Sequence, residues 1–128
     1  MADNGRLLVV NPATGEKLEE VATTSPEELD AVAGRAREGF REWRGGYSGL
    51  DRAEIFHEIS RTLQEHADEL AEIMTLEGGK PFIENHDEVG WTAACFDYYA
   101  EIARDNVGYL PAPIEPQQLA LVIREPIG

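Results

Sequence analysis

Cysteine, histidine and closely spaced glycines are the residues of this sequence best suited to chemistry, and each set lacks a partner. Cys95 is the single cysteine. A thiol becomes a nucleophile when a helix N-terminus or a neighbouring base lowers its pKa. Cys95 stands instead deep in the helical pattern of "WTAACFDYYA", among small and aromatic residues, where free cysteine behaves as a small hydrophobe. The expectation is a buried, inert thiol. His57, His66 and His86 miss the i, i+4 spacing of a zinc-binding helix, and one cysteine cannot build a cysteine-rich zinc site. They read as surface or packing residues. The glycine clusters "RGGYSG" (Arg44 to Gly49) and "LEGGKP" (Leu76 to Pro81) lack both phosphate-cradle spacings, and neither follows a strand. They read as helix ends. Residue chemistry alone gives no complete catalytic constellation.

The charge balance narrows the partners. The 128-residue chain carries a net charge of −14. Between Asp51 and Glu77, eight acidic residues face only Arg52 and Arg61, a local balance of −6. Binding to nucleic acid or to an anionic membrane draws on clustered Lys and Arg, so neither is an expected partner. The carboxylates read as a solvated helix face. No apolar run approaches the roughly 20 residues that span a bilayer. The opening "MADNGRLLVV" lacks the basic and apolar regions of a signal peptide. One cysteine suits a reducing compartment, and the expected location is the cytoplasm.

The elements that would position these residues follow from turn chemistry and periodicity. Arg6 to Val10 reads as a strand, "NPATGE" (Asn11 to Glu16) as a turn and Lys17 to Ala22 as a second strand, together a hairpin over 6–22. Ser25, Pro26 and Glu28 form a capping-box entry to a helix expected over 26–43, with Leu29, Val32, Ala36, Phe40 and Trp43 as its apolar stripe. Asp51 with Glu54, and Leu50 with Ile55, suggest a second capped start. The helix expected over 52–77 buries Phe56, Ile59 and Leu63. A register shift near Ala67 and Asp68 then predicts a kink or break before Leu70, Ile73 and Met74. Pro81 opens a third helix, over 81–105, whose stripe runs Phe82, His86, Val89, Ala93, Phe96, Ala100 and Ala103. "YLPAPIEP" is an extended connector, because proline fixes φ and donates no backbone hydrogen bond. Leu119 to Arg124 reads as a final strand. The inventory is α/β: a β-hairpin, three long amphipathic helices and a terminal strand, with too little sheet to cover the apolar helix faces.

Read in order, these segments resemble the N-terminal part of the aldehyde dehydrogenase superfamily. The resemblance rests on "VNPATGE" (Val10 to Glu16), "AREGFREW" (Ala36 to Trp43), "DRAEIFHEISRTLQEHADELAEIMTLEGGKP" (Asp51 to Pro81), Glu88 with Val89, "FDYYAEIA" (Phe96 to Ala103) and "REPIG" (Arg124 to Gly128). It covers almost everything from Val9 onward. Gly78 departs from the family, which often has a non-glycine residue before "GKP".

The resemblance implies covalent oxidation of a small-molecule aldehyde to an acid, with NAD or NADP as hydride acceptor. A cysteine thiolate adds to the carbonyl, an oxyanion hole holds the tetrahedral species, and water hydrolyses the thioester. Cys95 does not match the family's nucleophile loop. The chain is thus expected to be a leading fragment without catalytic or coenzyme-binding residues, inactive by itself. Residues 1–110 would belong to the coenzyme-binding domain. Residues 111–128 would be a connector and the start of an oligomerisation strand, through which a homo-oligomer forms edge to edge. The resemblance also implies a structural K⁺ or Na⁺ ion, with Val9 and Val10 carbonyls and the Glu88 carboxylate as candidate ligands. Two other readings are a free-standing interaction module that pairs with full-length subunits and a small enzyme using Cys95.

Overall fold

The computed structural model describes residues 5–105 and 108–127. Gly128, which closes "REPIG", lies outside them. Strands β1 (Arg6–Val10) and β2 (Lys17–Ala22) pair antiparallel, Arg6 opposite Ala22 and Val9 opposite Glu19. The register shifts at Val9/Val10, so that Val10 faces Lys17 and Leu18 is the extra residue of a bulge. Asn11 shapes the turn: its Oδ1 accepts the N–H of Ala13 at 2.9 Å and of Thr14 at 3.3 Å.

Four helices follow: α1 (Pro26–Gly46), α2 (Gly49–Glu65), α3 (Ala67–Gly78) and α4 (Phe82–Ile102). Helix α1 starts at the expected box, with Glu28 N–H donating to Ser25 Oγ at 3.2 Å and Ser25 N–H to Glu28 at 2.8 Å. It does not stop at Trp43. Gly45 and Gly46 remain helical, because Arg52 Nη2 donates to the end carbonyls of Trp43, Arg44 and Tyr47 at 3.1, 3.3 and 2.9 Å. A cation is favoured at a helix C-terminus, and here it also sits 5.6 Å from the Trp43 ring centroid.

Two further expectations need correction. The N-cap of α2 is Ser48, not Asp51. Asp51 is its N3 partner, accepting the Ser48 N–H at 2.7 Å, so the anticipated Asp51–Glu54 box and Leu50–Ile55 staple give way to a box one turn earlier. The break expected near Ala67 and Asp68 is present and complete, so the segment 52–77 is two helices rather than one. They part at His66, whose ψ of 18° leaves the helical basin, and Nδ1 of its ring pairs with Glu69 at 3.0 Å. Helix α4 begins after Pro81 and ends at Ile102, within the expected 81–105.

The terminal strand does not form. Among the described residues, Leu119 to Arg124 contribute one isolated antiparallel bridge, Val122 with Tyr109, closed by two 3.0 Å hydrogen bonds. A strand needs a neighbour for its ladder, and the described residues of this segment have none beyond that bridge.

Packing centres on α4, which lies against α2 and α3. The buried residues are small: Ala53 and Ser60 of α2, Ala71 of α3, and Asn85, Val89, Ala93 and Ala100 of α4. Gly49 tightens the same seam, since a Cβ there would stand 2.6 Å from the Ala103 carbonyl oxygen. Trp43, Phe56 and Phe96 form an aromatic line from α1 through α2 to α4, with centroid distances of 6.3 and 5.5 Å. Helix α1 buries no residue, and Leu29 and Val32 of its stripe are exposed. The expected shortage of sheet is visible here.

Two outcomes follow from this packing. Backbone amides of α1 should exchange with solvent at least about tenfold faster than those of Ala93 to Ala100, because exchange protection follows buried contacts. Hydrogen-exchange mass spectrometry checks this, and equal protection would show that α1 has a partner surface. Asn85, only 2% exposed, donates Nδ2 to Thr75 Oγ1 at 2.9 Å and to the Lys80 carbonyl at 3.2 Å. Asn85→Ala should cost about 1–3 kcal/mol through the lost bonds, read from urea denaturation of the helical signal.

Candidate functional site

A polar cluster sits on the α2–α4 seam. Asp97 accepts from Ser60 Oγ at 2.8 Å on one oxygen and lies 2.9 Å from His57 Nδ1 on the other. The second ring nitrogen of His57 lies 3.2 Å from Glu101 Oε1. Gln64 Nε2 donates to Ser60 Oγ at 3.1 Å. A serine, a histidine and an aspartate thus meet, but not in a nucleophilic order. A triad needs the hydroxyl on the imidazole. Here both bond the same carboxylate, and Ser60 is 1% exposed, out of reach of any substrate. With both imidazole nitrogens facing carboxylates, the ring fastens α2 to α4. The cluster is a structural clasp.

Cys95 is exposed, contrary to the expectation of a buried thiol. The face of α4 that carries it is left uncovered. It lines an apolar groove of about 460 Å³ with Leu63, Leu70, Met74, Val89 and Trp91. None of the groove-lining residues is a histidine that could serve as its base. His86 belongs to a neighbouring hollow that shares Trp91, and its Nε2 lies 3.4 Å from Asp68. His66 pairs within its own helix, as above. Among the described residues no group of three or more His, Cys, Asp or Glu side chains is arranged to hold a metal ion.

The alkali-ion ligands expected at Val9, Val10 and Glu88 fall on two elements. Val9 and Val10 end β1, and Glu88 is on the second turn of α4. The Glu88 carboxylate is already in contact with Lys80 Nζ. Hard cations need several oxygens without a competing positive charge among them. The residues present do not fit the ion.

Strand β2 is followed directly by α1, and the joining residues Thr23, Thr24 and Ser25 include no glycine.

Comparison with known proteins places this architecture. A model of the aldehyde dehydrogenase family matches residues 1–128. The chain belongs to the aldehyde dehydrogenase family. It is 39% identical over 121 residues to malonate-semialdehyde dehydrogenase 3 of Geobacillus kaustophilus, covering 94% of this chain and 25% of that protein. It is 33% identical over 128 residues to the NADP-dependent succinate-semialdehyde dehydrogenase of Escherichia coli, covering 99% of this chain and 26% of the relative. The crystal structure of betaine aldehyde dehydrogenase from Staphylococcus aureus, in complex with NAD⁺, superposes with a TM-score of 0.88 at 22% identity. That match covers 94% of this chain and 24% of the other. It shows the fold. The chain therefore spans about a quarter of the length of the aldehyde dehydrogenases it matches, and corresponds to their N-terminal portion. No described helix of this portion is long and apolar enough to cross a membrane.

What sequence reasoning missed are the buried polar residues. Ser60 lies one turn beyond Phe56, and Asn85 one turn before Val89, on stripes otherwise read as apolar. Polar residues at apolar register positions were the available signal.

The clasp gives a pH prediction. The hydrogen bonds from His57, and next those from Ser60, hold the Asp97 carboxyl below the usual aspartate range. A depressed carboxyl contributes stability above its unfolded pKa and loses it as pH falls through the folded value. Asp97→Asn should therefore weaken the α2–α4 contact most near neutral pH. The gap to wild type should close below about pH 4. Helical signal against urea at several pH values checks this, and a gap that widens in acid would contradict it.

Proposed function

We propose that this chain forms the helical and hairpin scaffold of an NAD(P)-dependent aldehyde dehydrogenase, packing beside the coenzyme domain and lacking turnover by itself. The observation that supports this reading is the family match over the whole chain, joined to helices whose large apolar residues face outward. Trp91 is 74% exposed, and Tyr98, Ile102 and Leu119 are also uncovered. Monomeric soluble proteins rarely leave contiguous patches of that kind. Residues 1–110 belong with the coenzyme-binding domain in this reading, and 111–128 form the connector and the start of an oligomerisation arm. In an extended conformation Leu119, Leu121 and Ile123 share one face, a pattern suited to edge pairing in a homo-oligomer.

The substrate class is an aldehyde, with the semialdehydes named for the relatives as first choice, and the product is the carboxylic acid. NAD or NADP would accept the hydride at residues supplied by the other three quarters of such an enzyme. The catalytic cysteine would come from there as well, since Cys95 has no base. The cytoplasm is the proposed location.

Split-enzyme complementation tests this. The chain is combined with the complementary remainder of the E. coli succinate-semialdehyde dehydrogenase, and reduction of NADP is followed with succinate semialdehyde. Neither part alone should turn over, and the pair should. Coenzyme reduction by the chain alone, abolished in Cys95→Ser, would overturn the reading and favour an independent enzyme.

A further inference from the structure

We propose that Lys80 is the resident cation of the α3–α4 corner, its ammonium occupying Glu88 so that this carboxylate takes no alkali ion with Val9 and Val10. The backbone places Lys80 with little freedom. Gly79 before it is left-handed at φ +72° and caps α3, its N–H donating to the Thr75 carbonyl at 2.9 Å. Pro81 after it is fixed at φ −56°. The Lys80 carbonyl accepts the Asn85 side chain at 3.2 Å, and Asn85 is buried. The point from which the Lys80 side chain leaves is thus fixed on both sides.

From this corner Nζ reaches along one face of α4. It contacts Glu88 Oε1 and lies 3.8 Å from Glu84 Oε2, two carboxylates one turn apart. One cation thus answers two carboxylates. An alkali ion at Glu88 would have to displace a tethered ammonium, which is present at the high effective concentration of an intramolecular partner.

The hairpin does reach this corner. The ring of Pro12 packs on Gly79, with Cγ 2.8 Å from where a Cβ on Gly79 would stand. That contact is apolar, the ring of the Asn11–Pro12 turn closing over Gly79.

The test compares amide exchange of Asn85 to Glu88 in potassium, sodium and tetramethylammonium chloride at equal ionic strength, a readout independent of turnover. Wild-type rates should agree among the three salts, or differ in a way that Glu88→Gln leaves unchanged. Lys80→Met should raise the rates about two- to fivefold in every salt, as for a surface ion pair, and Lys80→Arg should restore most of the protection. A potassium- or sodium-specific slowing in wild type that Glu88→Gln abolishes would overturn the proposal. So would Lys80→Met exchanging at the wild-type rate in all three salts.

Discussion

Close approach of α2 and α4 through small side chains is the constraint on which the rest of the structure depends. Ala53 and Ser60 face Ala93 and Ala100 across the seam, each pair seven residues apart, so that alanine or serine recurs every two turns on both helices. Such spacing keeps one narrow stripe in register between nearly aligned helices. At that separation a longer side chain would hold the axes apart. Asp97 could then no longer meet Ser60 and His57, and Phe96 could not reach the edge of Phe56. Gly49 extends the rule to the end of α4, where even a methyl group would meet the Ala103 carbonyl.

A seam of alanines orients helices well and stabilises them little. Stabilisation by burial scales with apolar area removed from water, about 25 cal/mol per Å². Alanine has little area to give, whereas many larger side chains that have it, among them Trp91, Tyr98, Ile102 and Leu119, stand in solvent. Orientation is therefore internal to this portion of the fold, and much of its cohesion depends on whatever covers the outer faces. Helix α1 makes the point most clearly. It is capped at one end by Ser25 and Glu28 and at the other by Arg52, yet nothing is buried along its length. Its ends are specified locally, and its face awaits a surface.

The division between what the sequence disclosed and what it hid follows the same line. Local chemistry was legible: the Asn-Pro-Gly turn, the Ser25 box, the break before Leu70 and the left-handed Gly79 all act within a few residues. Both strands of the hairpin were legible too, because β-branched and turn residues alternate cleanly there. The family match confirms the ordered motifs. Hidden were features set by distant residues. Arg52 carries α1 through two glycines that would ordinarily end it, from a position six residues beyond Gly46. Cys95 lies in a helical stretch rich in alanine and aromatics, which says buried, yet the surface that would bury it is absent from α2 and α3. Leu119 to Ile123 have strand composition and only one bridge, since a strand is a property of its neighbour as much as of itself. Of the site residues, Glu88 was visible as a carboxylate, but its pairing with a lysine eight residues earlier depends on the corner built by Gly79, Pro81 and Asn85.

Scarcity of positive charge ties these observations together. Eleven basic residues serve twenty-five acidic ones, and only two of them are lysines. Both lysines are committed to holding backbone corners, Lys17 to Glu20 beside the hairpin bulge and Lys80 to Glu84 and Glu88 after α3. Arg52 is spent on carbonyl oxygens where α1 ends and α2 begins. Where cations are few, each one shared between two acceptors cannot be removed without leaving both unanswered, one turn apart on the same helix. Like charges at that spacing repel by about as much as an opposite pair attracts. The acidic surface is thus not a uniform solvated face. It is pinned at a few points by cations placed where the chain must turn or two helices must meet, and the remaining carboxylates are left to water.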